Sequence, residues 1–224
     1  MMEYKVKTYE EAVDVIKKVG ILPLAPLIPD LPSLNAITLP EHWHSDTEFD
    51  PWTWRTKFAT DGVAAYGKFI KKKSILVSRE LLPYVKNVLG YADSVEERYF
   101  KGIVSKEARA LYKLISQEEG IDTRALRTKA GLKEKEKKKL FDHALLELQG
   151  SMDIVISGIN VKRNTEGEKN GWSSTAFETY NSWVARNSIN GINEGKEDSR
   201  KYLLSYFSNI CSDAAMKKLE KIFV

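Results

Sequence analysis

The sequence predicts an α+β fold, mainly helical with small β elements, and three observations carry that prediction. Ala108, Leu111, Tyr112 and Ile115 recur at helical spacing, as do Leu140, Phe141, Ala144, Leu145 and Leu148 further on. Short runs such as 64–70, 74–77 and 152–156 have the length and residue types of strands. Glycines stand at the breaks between these windows, at Gly90, Gly102, Gly120, Gly131 and Gly150.

Taken in order, Thr8 and Glu11 form a capping box, and Ala12, Val15, Ile16 and Val19 supply the apolar face of a first helix that Gly20 stops. Pro23, Pro26, Pro29, Pro32 and Pro40 follow, five of the seven prolines in the chain. Proline fixes φ and removes a donor, so this stretch is expected to be an extended, irregular strap, packed through Leu24, Leu27, Ile28 and Leu31. Asp50-Pro is read as a turn opening an aromatic block. Strands at 64–70 and 74–77 flank Lys71, Lys72 and Lys73, and Ser78 is expected to cap a helix running to Leu89. Ser94, with Glu96 and Glu97, opens another short helix that ends near Gly102.

The pattern sharpens between residues 102 and 177. Ser105 caps a helix that ends at Gly120; Asp122 or Thr123 caps a short second helix through Ala130, and Gly131 makes the turn. A third helix is expected from about Lys133 to Gln149, then a strand at 152–156, a polar loop at 159–171 and a return strand at 174–177. Helix, short helix, glycine turn, longer helix and hairpin, in that order, predict a winged helix-turn-helix. A three-helix bundle followed by a hairpin has the same parts; the short second helix and the glycine turn favour the winged helix. The expected organisation is a helical and strand region over 1–101, the winged helix over 102–180, and two packing helices over 181–224 carrying Tyr202, Leu203, Tyr206, Phe207, Ala215, Leu219 and Ile222.

Composition narrows the function classes. The net charge is +4, from 35 basic and 31 acidic residues, too mild to name a partner by itself. No apolar run approaches the roughly 20 residues of a membrane span, and there is no secretion signal, so no membrane partner and a cytoplasmic location are expected. Cys211 is the only cysteine and can form neither an internal disulfide nor a metal framework. His42 and His44 flank Trp43 without a third ligand at metal-binding spacing, and no phosphate-cradling or dinucleotide motif is present, so neither metal nor cofactor is expected.

Five segments carry a family resemblance: Asp50-Pro-Trp-Thr-Trp-Arg55, Tyr66-Gly-Lys68, Val77-Ser-Arg-Glu-Leu-Leu-Pro-Tyr84, Ser105-Lys-Glu-Ala108 and the run FDHALLELQ over 141–149. Together they resemble the AlkZ-related proteins, themselves similar to winged-helix DNA glycosylases of the AlkZ type, which release alkylated bases and unhook crosslinks. The resemblance implies the fold and DNA contact. It does not imply the reaction: those glycosylases position water with a Gln-x-Gln or Gln-x-Asp pair. This chain has only Gln117 and Gln149, neither followed by Gln or Asp two residues on.

The expected partner is double-stranded DNA. In a winged helix the start of the third helix faces the major groove, and Lys133, Lys135, Lys138 and Lys139 cluster there. Lysine contacts phosphate as a point charge and reads bases poorly, so binding should tolerate sequence. Lys162 and Arg163 stand on the hairpin tip, within reach of a backbone. Trp52 and Trp54 are candidates for stacking on an extruded base. Asp50 and Glu80 are the acids nominated to polarise water if the chain is an active glycosylase. The leading reading is a non-catalytic DNA-binding relative of the glycosylases, with a regulatory or repair-accessory role. The active enzyme and a protein-interaction scaffold are the alternatives.

Overall fold

The computed structural model describes residues 5–161 and 173–224. Helix α1 (Tyr9–Val19) begins at the reciprocal capping box of Thr8 and Glu11 and buries Ala12, Val15, Ile16 and Val19. Gly20 ends it at φ 72°, a backbone conformation that favours glycine, and a Cβ there would displace the Leu81 side chain. The proline-rich stretch is more regular than expected. It opens with strand β1 (Ile21–Pro23) and contains helix α2 (Leu34–Ile37) and a 3-10 turn at Pro40–His42. Pro23 is tolerated because β1 is an edge strand with a single neighbour.

Asp50-Pro51 does not make a turn. Asp50 is the N-cap and Pro51 the first residue of helix α3 (Pro51–Thr60), because a proline costs nothing where no intrahelical donor is needed. Strands β2 (Ala64–Ile70) and β3 (Lys73–Ser78) form a hairpin whose two turn residues, Lys71 and Lys72, both adopt positive φ, 50° and 60°. Ser78 does not cap the next helix. It ends β3, and helix α4 (Leu82–Leu89) starts later with Pro83 in its first turn. Helix α5 (Val95–Phe100) follows the Ser94–Glu97 capping box.

Helix α6 (Lys106–Gln117) is capped by Ser105 and leads to the two-residue strand β4 (Ile121–Asp122). Asp122, rather than Thr123, caps helix α7 (Thr123–Lys129); the Thr123 hydroxyl instead donates to the Thr175 carbonyl at 2.9 Å. Residues 133–134 are not helical. A 3-10 turn at Lys135–Lys137 precedes helix α8 (Lys138–Gly150), five residues later than the lysine run suggests. Strands β5 (Ile154–Asn160) and β6 (Ser174–Thr179) pair antiparallel, Val155 opposite Glu178 and Ile159 opposite Thr175. Three helices close the chain where two were expected: α9 (Tyr180–Arg186), α10 (Lys196–Ser208) and α11 (Asp213–Glu220).

The strands join into one six-stranded antiparallel sheet in the order β1-β3-β2-β5-β6-β4. Its two hairpins meet at the single pair Tyr66–Ile156, and β4 lies along β6 with Ile121 opposite Phe177. One hydrophobic cluster includes Ile16, Leu76, Leu111, Phe141 and Phe207, so all parts of the chain contribute to a shared core. Among the described residues no helix is long and apolar enough to cross a membrane.

Candidate nucleic-acid interface

The lysine-rich turn between α7 and α8 is held from below. Arg127 donates from Nε to the Leu132 carbonyl at 3.1 Å and from a terminal nitrogen to the Glu134 carbonyl at 3.3 Å. Its guanidinium also lies 5.5 Å from the Phe141 ring, so one arginine ties the turn to the buried face of α8. Lys137 pairs with Glu134 at 2.7 Å, and Lys129 pairs with Glu118. Lys133, Lys135, Lys138 and Lys139 are exposed, and none pairs with a carboxylate among the described residues.

These lysines crowd the positive end of the α8 dipole, where cations are disfavoured. Local electrostatics therefore runs against helix stability here, as it does at sites kept for a purpose other than folding. The accessible part of α8 is short. Lys138, Lys139, Leu140, Asp142 and His143 are exposed, whereas Phe141, Ala144, Leu145, Leu148 and Gln149 are buried. Lys162 and Arg163 lie outside the described residues.

The two tryptophans of α3 part company, because positions i and i+2 of a helix point about 200° apart. Trp54 is 1% exposed and donates its indole N–H to the Glu48 carbonyl at 2.7 Å. It fills the core beside Tyr9 and has no face to offer a base. Trp52 is 42% exposed, with the Arg55 guanidinium 3.6 Å from its ring centre and the His44 ring 4.9 Å away.

The two nominated acids stand in different surroundings. Asp50 is 1% exposed, and its carboxylate accepts the backbone N–H groups of His44 and Trp52 at 2.9 Å each and of Asp46 at 3.4 Å. That is a helix cap tying a loop to α3. Glu80 is exposed in the turn between β3 and α4. Gln149 is 3% exposed and used at both ends: its oxygen accepts the Lys68 N–H at 3.0 Å and its nitrogen donates to the Leu145 carbonyl at 3.1 Å.

Two features were not anticipated. A cleft of about 410 Å³ lies between α3 and β5, lined by Thr53, Thr56, Thr60, Ser157 and Asn160, with Lys57 at its side. The three threonines sit at i, i+3 and i+7, a face that becomes visible once α3 is recognised as a helix. The second is a buried ionic group in which Asp153 meets Arg98 at 2.7 Å and Lys86 at 3.5 Å. Burial pulls the Lys86 pKa down, and the Asp153 carboxylate partly opposes it.

Neither a curated protein nor a solved structure matches the chain. A model of the AlkZ-related family does, over residues 6–224, and the chain belongs to that family.

Proposed function

We propose that this chain contacts duplex DNA through a winged helix formed by α6, β4, α7, α8 and the β5–β6 hairpin, and that it does not excise bases. The observation that carries the reading is the turn presenting Lys133, Lys135, Lys138 and Lys139 at the start of α8 with no carboxylate partner among the described residues. The antiparallel pairing of β4 with β6 supports it, since a winged helix brings its first strand back along its wing. The family name supports a relationship to DNA glycosylases. No arginine stands at the start of α8, which favours phosphate contact over base reading. The absence of catalysis rests on the missing Gln-x-Gln or Gln-x-Asp pair and on the commitment of the Asp50 carboxylate and the Gln149 carboxamide to backbone partners. A regulatory or repair-accessory role in the cytoplasm suits such a protein.

The test is a titration of labelled duplex at two salt concentrations, together with incubation on alkylated or crosslinked duplex followed by heat or alkali. Binding should be measurable at low salt and fall steeply at high salt, and the strand should stay intact. No binding at low salt removes the DNA reading, and efficient base release removes the non-catalytic one.

A further inference from the structure

Arg55 is a largely buried cation that pairs with no carboxylate of the described residues. It is 8% exposed, its Nε has no hydrogen-bond partner, and no carboxylate, carbonyl or hydroxyl of the described residues accepts from its guanidinium. Arg98, the other deeply buried arginine, shows what a structural role looks like: it has Asp153 at 2.7 Å. Only the Nε is both shut from solvent and without an acceptor, which is costly; the terminal nitrogens reach the surface, where an anion can meet them.

The position of Arg55 is fixed although its donors are not engaged. Trp52 lies one turn earlier on α3 and covers the guanidinium at 3.6 Å, while Tyr66 of β2 approaches at 5.9 Å from the sheet. Stacking on aromatic faces leaves the in-plane donors of an arginine fork available, and that fork matches the oxygens of a phosphate. The same tryptophan keeps 42% of its surface exposed. A cation fixed in place beneath an accessible aromatic ring is the pair of features that nucleotides engage, through phosphate and base respectively.

We propose that Arg55 and Trp52 form a nucleotide-phosphate site, in which Arg55 takes the phosphate and Trp52 stacks on the attached base. The phosphate belongs either to a free nucleotide or to a single strand; both present the same chemistry. This site uses none of the lysines of the α7–α8 turn, so it stands or falls separately from duplex binding.

The experiment measures binding of a labelled oligothymidylate strand by full-length protein, with thymidine monophosphate, thymidine, inorganic phosphate and acetate as competitors. The variants are Arg55→Met, Arg55→Lys and Trp52→Ala. The parent should bind the strand. Competition by thymidine monophosphate but not thymidine assigns the site to nucleotides in general, and binding of the strand alone assigns it to strands. Arg55→Met should weaken binding roughly tenfold or more, the worth of a hydrogen-bonded charge. Its melting temperature should equal or exceed the parent's, because a buried donor without an acceptor has been removed; an arginine serving only the fold would give a loss. Arg55→Lys, which keeps the charge but loses the fork, should bind between the two, and it decides the matter if the methionine variant does not fold. Trp52→Ala should also weaken strand binding while leaving inorganic phosphate unaffected. Unchanged binding by a folded Arg55→Met or Arg55→Lys protein overturns the assignment. So does competition by acetate as strong as that by phosphate, or the absence of strand binding by the parent. Duplex titration of the same variants should keep the parent's salt dependence.

Discussion

Arg98 on α5 and Asp153, just before β5, meet at 2.7 Å where their side chains are 1% and 9% exposed. The approach falls outside hydrogen-bonding alignment, so the contact is chiefly ionic. Lys86 from α4 reaches the same carboxylate and donates to the carbonyls of Ser151 and Met152 at 3.1 and 3.0 Å. Helices α4 and α5 are thereby both tied to the turn that ends α8. Replacing Asp153 by Asn should cost about 3–5 kcal/mol, because two buried cations lose their counter-charge. A double change, Arg98→Met with Asp153→Leu, should recover much of that loss. Urea denaturation of the three proteins gives both numbers, and a mild effect of Asp153→Asn would mean that water reaches the group.

Tyr180 gives a pH-dependent test of burial. Its pKa is pushed up to about 12, wholly by burial. The unfolded chain loses this proton near pH 10, whereas the folded chain keeps it. Between about pH 10 and 12 the folded state therefore binds more protons, and stability must fall as pH rises. Tyr180→Phe should flatten that decline by up to one proton in a series of denaturation curves from pH 9 to 12. An unaltered slope would show that the ring is open to water.

Asp50 separates a structural carboxylate from a catalytic one. As a cap whose oxygens are taken by three backbone amides, it should lower stability by about 1–2 kcal/mol when changed to Ala. Asn keeps one carbonyl oxygen and should lose less. Both variants should retain the parent's DNA binding, measured by the same titration. A stable Asp50→Asn protein that has lost a base-release activity present in the parent would restore the catalytic role.

What the sequence discloses here follows the range of each interaction. The caps at Thr8, Ser94 and Ser105 are read correctly, and that of α7 is narrowed to Asp122 or Thr123, because cap and amide lie two or three residues apart. Helix α3 is missed because Asp-Pro signals a turn as strongly as a helix start. Its buried residues, Pro51, Trp54, Arg55, Thr56, Phe58 and Ala59, also wrap most of the helix and leave little amphipathic signal. The start of α8 is misjudged because lysine is a good helix former, and only Arg127, bonded across to Leu132 and Glu134, fixes 133–134 as a turn. The Tyr66–Ile156 seam and the Arg98–Asp153 pair join residues far apart in the chain, and no local pattern announces either. The lysines of the candidate interface were legible, whereas the cover that Trp52 gives Arg55 needed both residues placed on one face of a helix.

The last prediction decides whether the lysine turn is used for DNA. Lys135, Lys138 and Lys139 are exposed and carry no partner among the described residues, so their replacement by Ala removes charge without removing a contact. Alanine is the best helix former, and relieving cations from the positive end of α8 should leave stability equal or slightly raised. If these lysines neutralise phosphates, each releases about one counterion, and the log–log dependence of affinity on salt has a slope of roughly −0.9 per phosphate. The triple variant should therefore show a slope shallower by up to about 3 units, with affinity falling nearly equally for unrelated duplex sequences. Lys137→Ala serves as the internal comparison: that lysine is committed to Glu134 at 2.7 Å, so its loss should change the slope little. A folded triple variant with the parent's slope would move the contact surface away from α8. A slope change as large in Lys137→Ala would mean that overall charge, rather than this face, governs binding.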